Sequence, residues 1–379
     1  MSVHELGWTL TKINEIIKNI MFDNYSHILE KESIKASAPC RIDMGGTLDI
    51  STFYYPLRHF NPCTFNIAVN LRTNVALLPY KKDMVKVSSK GFESAEFNLI
   101  KAPFDHPLGL MFAISAYFKA SGIHIVIDST SPPRSGLGGS SAAVVALIAA
   151  FQTLHSKHFS DHSFAAHSKK QTAILAQAIE QSVAQVPCGF QDQLASTFGG
   201  VNAWYFLPTT NKALFKRKII IPKKSQAKFA EHILLAYCGN PHESKNINCK
   251  WISQFVSGKN RNLWIEIISC TNRFVAAISE YNIKYAVEMI QREVAIRKEM
   301  TPDVLDCAGN KLVEAAIMEH CGARFTGAGQ GGCVWAIGEI KDIDRLKTKW
   351  KNIISDTDKA CLIDIKIDSK GLLVEHLSK

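Results

Sequence analysis

The sequence lacks the strings GxxxxGKS and GxxxxGKT, the lysine-bearing loop that many nucleotide-binding proteins use to hold phosphates. It also lacks internal repeats and low-complexity linkers. With 379 residues and 46% hydrophobic content, the chain is long enough for two or three domains with buried cores. Any phosphate site in this chain therefore needs positive charge from somewhere other than a loop lysine.

Paired cysteines are missing as well. The ten cysteines form no CxxC pair and no Cys/His spacing, so zinc is not expected. The segment Met1–Glu32 contains Glu5 and shows no secretory pattern, so disulfides are not expected and a reducing cytosol is the predicted compartment. Cys188 and Cys333 are interpreted as packing residues rather than nucleophiles.

The N-terminal segment carries apolar residues at helical spacing. They are Leu6, Leu10, Ile13, Ile16, Ile17 and Ile20. This pattern predicts a helical extension over residues 1–33 that packs on the rest of the protein. A helix that binds a partner or drives oligomerisation is the alternative.

The net charge of +10 comes from small groups of basic residues, such as Lys81-Lys82 and Lys223-Lys224. Aromatic residues do not interleave with them, and no nucleic-acid-binding motif is present, so a nucleic-acid partner is not expected. A basic surface favours solubility, and it would also attract ATP or a phosphorylated sugar.

The segment Pro132–Phe151 reads PPRSGLGGSSAAVVALIAAF, a glycine-serine loop followed directly by an apolar helix. The first turn of a helix leaves N–H groups without partners and carries partial positive charge, so anions bind there. Ser140 and Ser141 supply hydroxyls for capping or for a magnesium ion. The apolar stretch predicts a buried helix and is too short for a membrane span. An ordinary glycine loop capping a buried helix remains the alternative.

Two acidic residues, Glu180 and Asp192, lie twelve positions apart in the segment IEQSVAQVPCGFQDQLASTFGG. Together they have the chemistry to serve one cation, because Mg²⁺ prefers hard oxygen ligands. A carboxylate can also deprotonate or orient an attacking hydroxyl. The alternative is that Glu180 is a solvated helix residue and Asp192 a turn or cap residue.

The C-terminal segment GARFTGAGQGGCVWAI contains GxGxxG, at Gly327, Gly329 and Gly332. A dinucleotide-binding site requires a helix after this loop. The β-rich run Cys333–Ile337 follows instead, so the pattern predicts a loop that enters a strand and argues against a Rossmann site.

Three segments in the same chain order resemble the signatures of the GHMP kinases, the family of galactokinase, homoserine kinase and mevalonate kinase. The opening segment SAPCRIDMGG spans Ser37–Gly46, the central segment is the glycine-serine loop, and the last is the C-terminal glycine loop. The stretch PCGFQDQ is similar to the PCGxxDQ form of galactokinases. The central loop is also close to the form found in heptose-phosphate kinases.

This resemblance implies a set of site residues. Asp192 would be the base, and Arg41 would stabilise the moving phosphoryl group and lower the aspartate pKa. Ser141 and Glu180 would hold Mg²⁺, while Asp49, Gly189 and Asp192 would face the substrate. The residues implied in ATP binding are Pro133, Gly136, Leu137, Gly138, Gly139, Ser140, Ser141, Gly327, Ala328 and Gly329.

The opening segment departs from both groups of relatives. Galactokinases continue with Gly-Glu-His-x-Asp and heptose-phosphate kinases with GGGTD, whereas this chain has Gly45-Gly46-Thr47-Leu48-Asp49. A sugar is the implied substrate class, and its identity is left open. A polar run, Asn240–Asn248, lines a sugar pocket in one interpretation and forms an ordinary loop in the other.

The resemblance implies an α+β fold in two domains, a ribosomal-protein-S5-like domain over residues 34–205 and a ferredoxin-like domain over residues 206–379. Patterning adds the local elements. Strands are predicted at Thr64–Pro79, Met84–Ser88, Ile123–Asp128 and Cys361–Ile367, and helices at Ser141–His155, Lys169–Ser182, Asn262–Ser279, Ile283–Lys298 and Asp303–Glu319.

The predicted function is an ATP- and Mg²⁺-dependent kinase that phosphorylates a hydroxyl, with the anomeric one preferred, of a sugar or sugar phosphate. A kinase for a non-sugar alcohol and a sugar-sensing regulator without turnover are the alternatives. The presence of Arg41, Glu180 and Asp192 together argues against the regulator, since a sensor does not need all three. No membrane partner is expected, and the oligomeric state is left open.

Overall fold

A computed structural model describes residues 22–158, 168–184, 187–207, 214–241, 244–355 and 357–378 of the chain. The apolar stripe between residues 6 and 20 lies outside these residues. The predicted helical extension therefore stays a prediction.

The strands are numbered here in chain order. They are β1 Asp23–Asn24, β2 Glu32–Met44, β3 Cys63–Pro79, β4 Val85–Ser89, β5 Ala95–Phe97, β6 Ala120–Ser121, β7 Ile123–Ser129, β8 Val201–Phe206, β9 Phe215–Ile221, β10 Ile233–Tyr237, β11 Gly322–Phe325, β12 Cys333–Ile337, β13 Cys361–Ile363 and β14 Leu373–Ser378.

The α-helices are numbered in the same way. They are α1 Ser26–Leu29, α2 Ser51–Tyr54, α3 Gly109–Tyr117, α4 Gly139–His158, α5 Lys169–Ala184, α6 Gln191–Phe198, α7 Gln226–Ala230, α8 Ser244–Val256, α9 Arg261–Ser279, α10 Ile283–Met300, α11 Cys307–Met318 and α12 Ile340–Ile354. Short 3₁₀ turns lie at Arg58–Phe60, Leu99–Lys101 and Lys223–Ser225.

The larger sheet has the order β14-β2-β3-β7-β4-β5, with β8 pairing β3 and β9. Strands β2 and β3 form its antiparallel centre, and their register shifts between Pro39 and Cys40. Proline has no N–H to donate to a ladder, so an irregularity is expected there. Beyond the shift, the N–H of Arg41 donates to Leu137 O at 2.9 Å, which connects β2 to the glycine-serine loop.

Helix α4 packs against the centre of this sheet, on β2 and β3. Its residues from Ala142 to Phe151 are all buried, as the apolar pattern predicts. The expectation that this stretch is too short for a membrane span is wrong, because the window Gly139–Ser156 of the described helix is long and apolar enough by length and composition. Inside the protein, however, 78% of that window is buried. A core helix has these properties, and its burial fixes the position of its N-terminus.

The smaller sheet is antiparallel, with the order β11-β12-β10-β13. Helices α8 to α12 contribute to a second apolar core around it, which includes Trp251, Trp264 and Trp350. The predicted strand after the C-terminal glycine loop is confirmed as β12. A strand at this position removes the context that a dinucleotide fingerprint requires.

Two predicted bounds are wrong. The helix expected from Asp303 begins at Cys307, because the Asp306 side chain caps it by accepting from Gly309 N at 2.7 Å. The strand expected over Cys361–Ile367 is regular only as far as Ile363. Beyond that point the described chain turns back toward the larger sheet, where Ile367 makes an isolated bridge to Val69.

The last described residues belong to the larger sheet. Strand β14 pairs antiparallel with the first half of β2, and β9 extends the same sheet beyond residue 206. Asp368 forms an ion pair with Arg72 of β3. The domain bounds at residues 33/34 and 205/206 stay predictions. The pairing of β14 with β2 places residues 373–378 in the same sheet as residues 32–44.

Candidate active site

A cavity of about 840 Å³ lies where the glycine-serine loop, β2 and the C-terminal glycine loop meet. Its lining joins residues far apart in sequence, among them Arg41, Asp49, Glu180, Asp192 and Gly327. Apolar side chains line it as well, including Phe92, Phe104, Leu108 and Ile127. A concave site with a few convergent charged groups is the usual form of a small-molecule site.

The glycine-serine loop enters α4 with two residues in left-handed backbone conformations that suit glycine, Gly136 at φ 74° and Gly138 at φ 75°. A Cβ on Gly136 would lie 2.7 Å from Thr326 Oγ1, and a Cβ on Gly138 would lie 3.3 Å from Asp192 Oδ2. The glycine-serine loop therefore lies in close contact with both the C-terminal glycine loop and Asp192. Helix α4 begins at Gly139, two residues before the predicted start at Ser141.

Most of the predicted phosphate-binding residues line this one cavity. They are Pro133, Gly136, Leu137, Gly138, Gly139, Ser140, Ser141, Gly327 and Ala328. Gly329 is not among the cavity-lining residues. The position of a Cβ on Gly329 would fall 2.4 Å from Val304 O, so this glycine packs against the segment before α11.

Arg41 and Asp192 form an ion pair inside the cavity. Arg41 Nε donates to Asp192 Oδ1 at 2.7 Å, and Arg41 NH2 lies at the same distance from that oxygen. The Asp192 side chain is 26% exposed, whereas Arg41 is 4% exposed. Burial raises the pKa of Asp192, and Arg41 opposes this shift only in part. Arg41 therefore lowers the pKa of Asp192, as expected from the sequence, but burial outweighs it and the net shift is upward.

Ser141 and Glu180 also meet. Ser141 Oγ donates to Glu180 Oε2 at 2.8 Å, and Gln193 Nε2 donates to the same oxygen at 2.7 Å. Burial raises the pKa of Glu180 to about 7. Among the described residues no ion pair includes Glu180, and no cluster of three His, Cys, Asp or Glu forms a ready-made metal site. A carboxylate and a hydroxyl without a protein counter-charge fit a hard cation that takes its other ligands from a bound phosphate.

Asp49 follows the turn after strand β2 and is buried beside Asp192. Its Oδ2 accepts from Gln191 N at 2.9 Å, and burial raises its pKa to about 6. A Cβ on Gly189 would fall 1.7 Å from Asp49 Oδ2, so the absence of a side chain at Gly189 makes room for the carboxylate. The structure thus brings all three predicted substrate-facing residues, Asp49, Gly189 and Asp192, to the same cavity.

A fully buried charge network behind the cavity escaped the sequence analysis. Arg324 contacts Asp43 at 2.9 Å and Glu293 at 3.2 Å, and Glu293 contacts Arg297 at 2.9 Å. Arg297 NH2 donates to Gly46 O at 2.7 Å, while Gly327 N donates to Asp43 Oδ1 at 2.8 Å. The network therefore ties the Asp49 turn and the C-terminal glycine loop to α10.

The position of these residues in the sequence offered a partial signal. Asp43 and Arg324 lie inside the opening and closing segments, which already pointed to the site. Glu293 and Arg297 have the i,i+4 spacing of an ordinary exposed helix pair, so pattern alone does not single them out.

The remaining predicted residues divide between described and undescribed parts of the chain. In the polar run Asn240–Asn248, the side chains of residues 242–246 lie outside the described structure, while Asn248 lines the cavity. Cys188 also lines it, and burial raises its thiol pKa to about 12. A thiol with that pKa is not a nucleophile at neutral pH. All ten cysteines are free.

The sequence matches the profile of the GHMP kinases N terminal domain over residues 105–200. These residues are therefore similar to the N-terminal domain of the GHMP kinases. The matched range contains the glycine-serine loop, Glu180 and Asp192, and it agrees with the resemblance that the central segment shows in the sequence.

A curated relative is similar to part of this chain. A galactokinase from Roseiflexus sp. (strain RS-1) is 28% identical over 143 residues, which is 36% of this chain and 34% of that protein. The match thus spans about a third of the relative's length.

Two solved structures show the extent of the shared fold. The galactokinase of Lactococcus lactis, solved with galactose, superposes with a TM-score of 0.69 at 16% identity, covering 96% of this chain and 99% of that one. A D-glycero-D-manno-heptose 1-phosphate kinase from Bacteroides thetaiotaomicron gives 0.66 at 16% identity, covering 91% and 100%. The predicted α+β GHMP kinase fold is confirmed.

Proposed function

We propose that this chain is an ATP- and Mg²⁺-dependent kinase that transfers the γ-phosphoryl group of ATP to a hydroxyl of a sugar or sugar phosphate. The observation that carries the proposal is the meeting, in one cavity, of the helix-mouth glycine loop with the Arg41–Asp192 ion pair. The first is suited to phosphate, and the second to a reacting hydroxyl.

The ATP phosphates would lie on the loop from Gly136 to Ser141. The free N–H groups of the first turn of α4 and the helix dipole favour anions there. Gly327 and Ala328 close the same region from the C-terminal side. The apolar side chains Phe92, Phe104, Leu108 and Ile127 offer a surface for the adenine base.

Mg²⁺ would be held by Ser141 Oγ and the Glu180 carboxylate, whose donor chemistry fits it. When bound, it would neutralise phosphate charge as the phosphoryl group moves. Gln193 holds the Glu180 carboxylate in place through its 2.7 Å hydrogen bond. At the N-terminus of α4, the Glu180 carboxylate would supply negative charge to the cation and the Ser141 hydroxyl a neutral oxygen ligand.

Asp192 would take the proton of the attacking hydroxyl. As the hydroxyl oxygen forms its bond to the γ-phosphorus, the bond from that phosphorus to the β–γ bridging oxygen breaks, and its electron pair leaves with ADP. Arg41 holds Asp192 Oδ1 at 2.7 Å, which orients the carboxylate and places a fixed positive charge beside the transferred group. The raised pKa of Asp192 brings the carboxylate closer to the proton affinity that a base at neutral pH needs.

A sugar is favoured over other alcohols because the PCGxxDQ stretch, with Asp49 beside it, follows the galactokinase pattern. The galactokinase relative and structure support this choice. Transfer to the anomeric hydroxyl and a cytosolic location are part of the same proposal.

The decisive variant is Asp192→Asn. It should abolish ADP release in a coupled assay with sugars, because the base is lost while the shape of the side chain is kept. Binding of a non-hydrolysable ATP analogue, measured by calorimetry, should change little. The matched control Asp344→Asn alters an exposed residue of α12 and should leave both measurements unchanged. Undiminished turnover in Asp192→Asn would remove this residue from the mechanism.

A further inference from the structure

Arg134 belongs to the glycine-serine loop and lines the cavity. Its backbone φ is 52°, in the left-handed region, where the Cβ of an L-residue crowds the following carbonyl oxygen. Glycine adopts this conformation without that cost. A strained residue that carries a long charged side chain at a functional site points to a use for that side chain.

The backbone on both sides of Arg134 is anchored. The turn after β4 packs against Pro133, since a Cβ on Gly91 would lie 3.3 Å from Pro133 Cγ. Ser135 is 4% exposed, and its carbonyl oxygen accepts from Cys333 N of β12 at 2.9 Å. The point at which the Arg134 side chain leaves the loop is therefore fixed by contacts to two other parts of the chain.

Formal charge within the loop comes from this one side chain. Arg134 is the only charged residue of the stretch Pro132–Phe151, and it precedes Gly136, the first residue of the proposed phosphate-binding stretch, by two positions. The N-terminus of α4 adds a partial positive charge of about half an elementary unit, whereas a nucleoside triphosphate carries several negative charges. A guanidinium is a full positive charge whose planar fork matches the spacing of phosphate oxygens.

Arg41 and Lys90 line the cavity as well, in other places. Arg41 Nε donates to Asp192 Oδ1 at 2.7 Å, where the acceptor hydroxyl is expected to react. Lys90 follows β4, and its N–H donates to Ile127 O at 3.3 Å, beside the apolar lining. Arg134 instead belongs to the stretch that would hold the phosphates, which separates its role from that of Arg41 at the reacting hydroxyl.

We propose that Arg134 binds the phosphate chain of ATP through its guanidinium, and that this contact supplies the full positive charge which the glycine-serine loop offers to the nucleotide. The inference rests on the proposed kinase function. It adds to the ATP site a specific residue that the family resemblance does not assign. It also gives a reason for an arginine at a position where glycine suits the backbone.

Arg134→Gly tests the charge without straining the fold, because glycine suits the φ of this position. Calorimetry with Mg²⁺ and a non-hydrolysable ATP analogue should show an affinity about 10- to 100-fold below that of the wild type, the usual value of hydrogen bonds to a charged group. The difference should shrink as ionic strength rises, because salt screens an exposed ion pair. The midpoint of chemical denaturation should not fall. Unchanged affinity for the analogue would overturn the inference, and so would a loss of the same size at every salt concentration.

Two further variants separate charge from backbone conformation. Arg134→Gln keeps a polar side chain and the same backbone strain, so it should lose affinity as Arg134→Gly does. Arg134→Lys keeps the charge without the planar fork and should recover part of the loss. Wild-type affinity in Arg134→Gln would show that the charge has no role.

Lys359→Gly is the matched control. Lys359 is an exposed cation with a φ of 61°, and it is not among the described residues that line the cavity. Replacing it removes one positive charge and the same kind of backbone strain, yet affinity for the ATP analogue should stay at the wild-type value. A loss as large as that of Arg134→Gly would show that net charge, rather than a contact, attracts the nucleotide.

Steady-state kinetics separate this inference from the kinase proposal. If the wild-type protein binds no ATP analogue, the kinase proposal itself fails. If it binds the analogue and releases ADP with a sugar, Arg134→Gly should raise the KM for ATP about tenfold or more and leave the KM for the sugar unchanged. An unchanged KM for ATP would then contradict the role of Arg134 alone and leave the kinase proposal standing.

Discussion

Arg41 shows how one residue position connects the parts of the site. It follows the register shift at Pro39/Cys40, and its N–H donates to Leu137 O while its guanidinium contacts Asp192. A lysine could not make the same set of contacts, because an ammonium lacks the planar fork of a guanidinium. The geometry of the ion pair therefore depends on the backbone of β2 as much as on the charge.

The Ser141 hydroxyl provides a prediction at the residue scale. Ser141→Ala should raise the Mg²⁺ concentration for half-maximal activity about tenfold, because an oxygen ligand and a donor to Glu180 are both lost. The measurement is a magnesium titration of ADP release at fixed ATP and sugar. Ser156→Ala, at an exposed position of the same helix, is the control. An unchanged magnesium dependence would remove Ser141 from the metal site.

At the scale of elements, helix α10 contributes to the site without lining the cavity. Glu293 and Arg297 are fully buried, and Arg297 donates to Gly46 O just before Asp49. Arg324 of β11 joins them to Asp43. Removing one member of such a network leaves buried charge uncompensated, which costs far more than the net value of the pair.

Glu293→Gln should therefore destabilise the protein by roughly 3–5 kcal/mol, because Arg297 and Arg324 would lose their shared counter-charge. Chemical denaturation followed by tryptophan fluorescence measures the change, and kcat should fall as the Gly46 turn loosens. Glu288→Gln is the matched control, since Glu288 is exposed on the same helix. Equal stability of the two variants would contradict the role assigned to the network.

The sequence pattern predicted those elements whose structure depends mainly on their own few residues. The glycine-serine loop, the buried helix after it and the strand Cys333–Ile337 are confirmed, because backbone freedom and apolar runs act over a few residues. The charge network was not predicted, because Glu293 and Arg297 become buried only through contacts to residues 46 and 324. Among the described residues, the side-chain oxygens of Gln191 and Asn248 are buried without a hydrogen-bond partner. Their burial likewise depends on neighbours that are distant in sequence.

At the scale of the whole molecule, the last described strand belongs to the same sheet as β2, near the start of the described residues. Strand β14 pairs with β2, and Arg72 of β3 donates to Ser37 O and Gly371 O at 2.7 Å each. Asp368 neutralises Arg72 and accepts from Gly371 N at 3.0 Å. Strand β2 carries Arg41 and Asp43, so the C-terminal segment supports the strand that positions the site.

Asp368→Ala should lower the local stability of the β2–β14 pairing by about 1.5–3 kcal/mol, the usual value for a hydrogen bond to a charged group. Native-state hydrogen exchange at Ala36 and Val374 measures this opening directly. Asp364→Ala, at an exposed position a few residues earlier, should leave the exchange rates unchanged. Unaltered exchange in Asp368→Ala would show that β14 is held by its ladder alone.

The most direct test of the central claim follows the phosphoryl group itself. Wild-type protein is incubated with Mg²⁺, a sugar and ATP whose γ-phosphoryl oxygens carry ¹⁸O, and the products are analysed by mass spectrometry and ³¹P NMR. The account predicts ADP and a sugar phosphate that retains the labelled phosphoryl group. Unconsumed ATP, or ADP formed with labelled inorganic phosphate and no phosphorylated sugar, would contradict it.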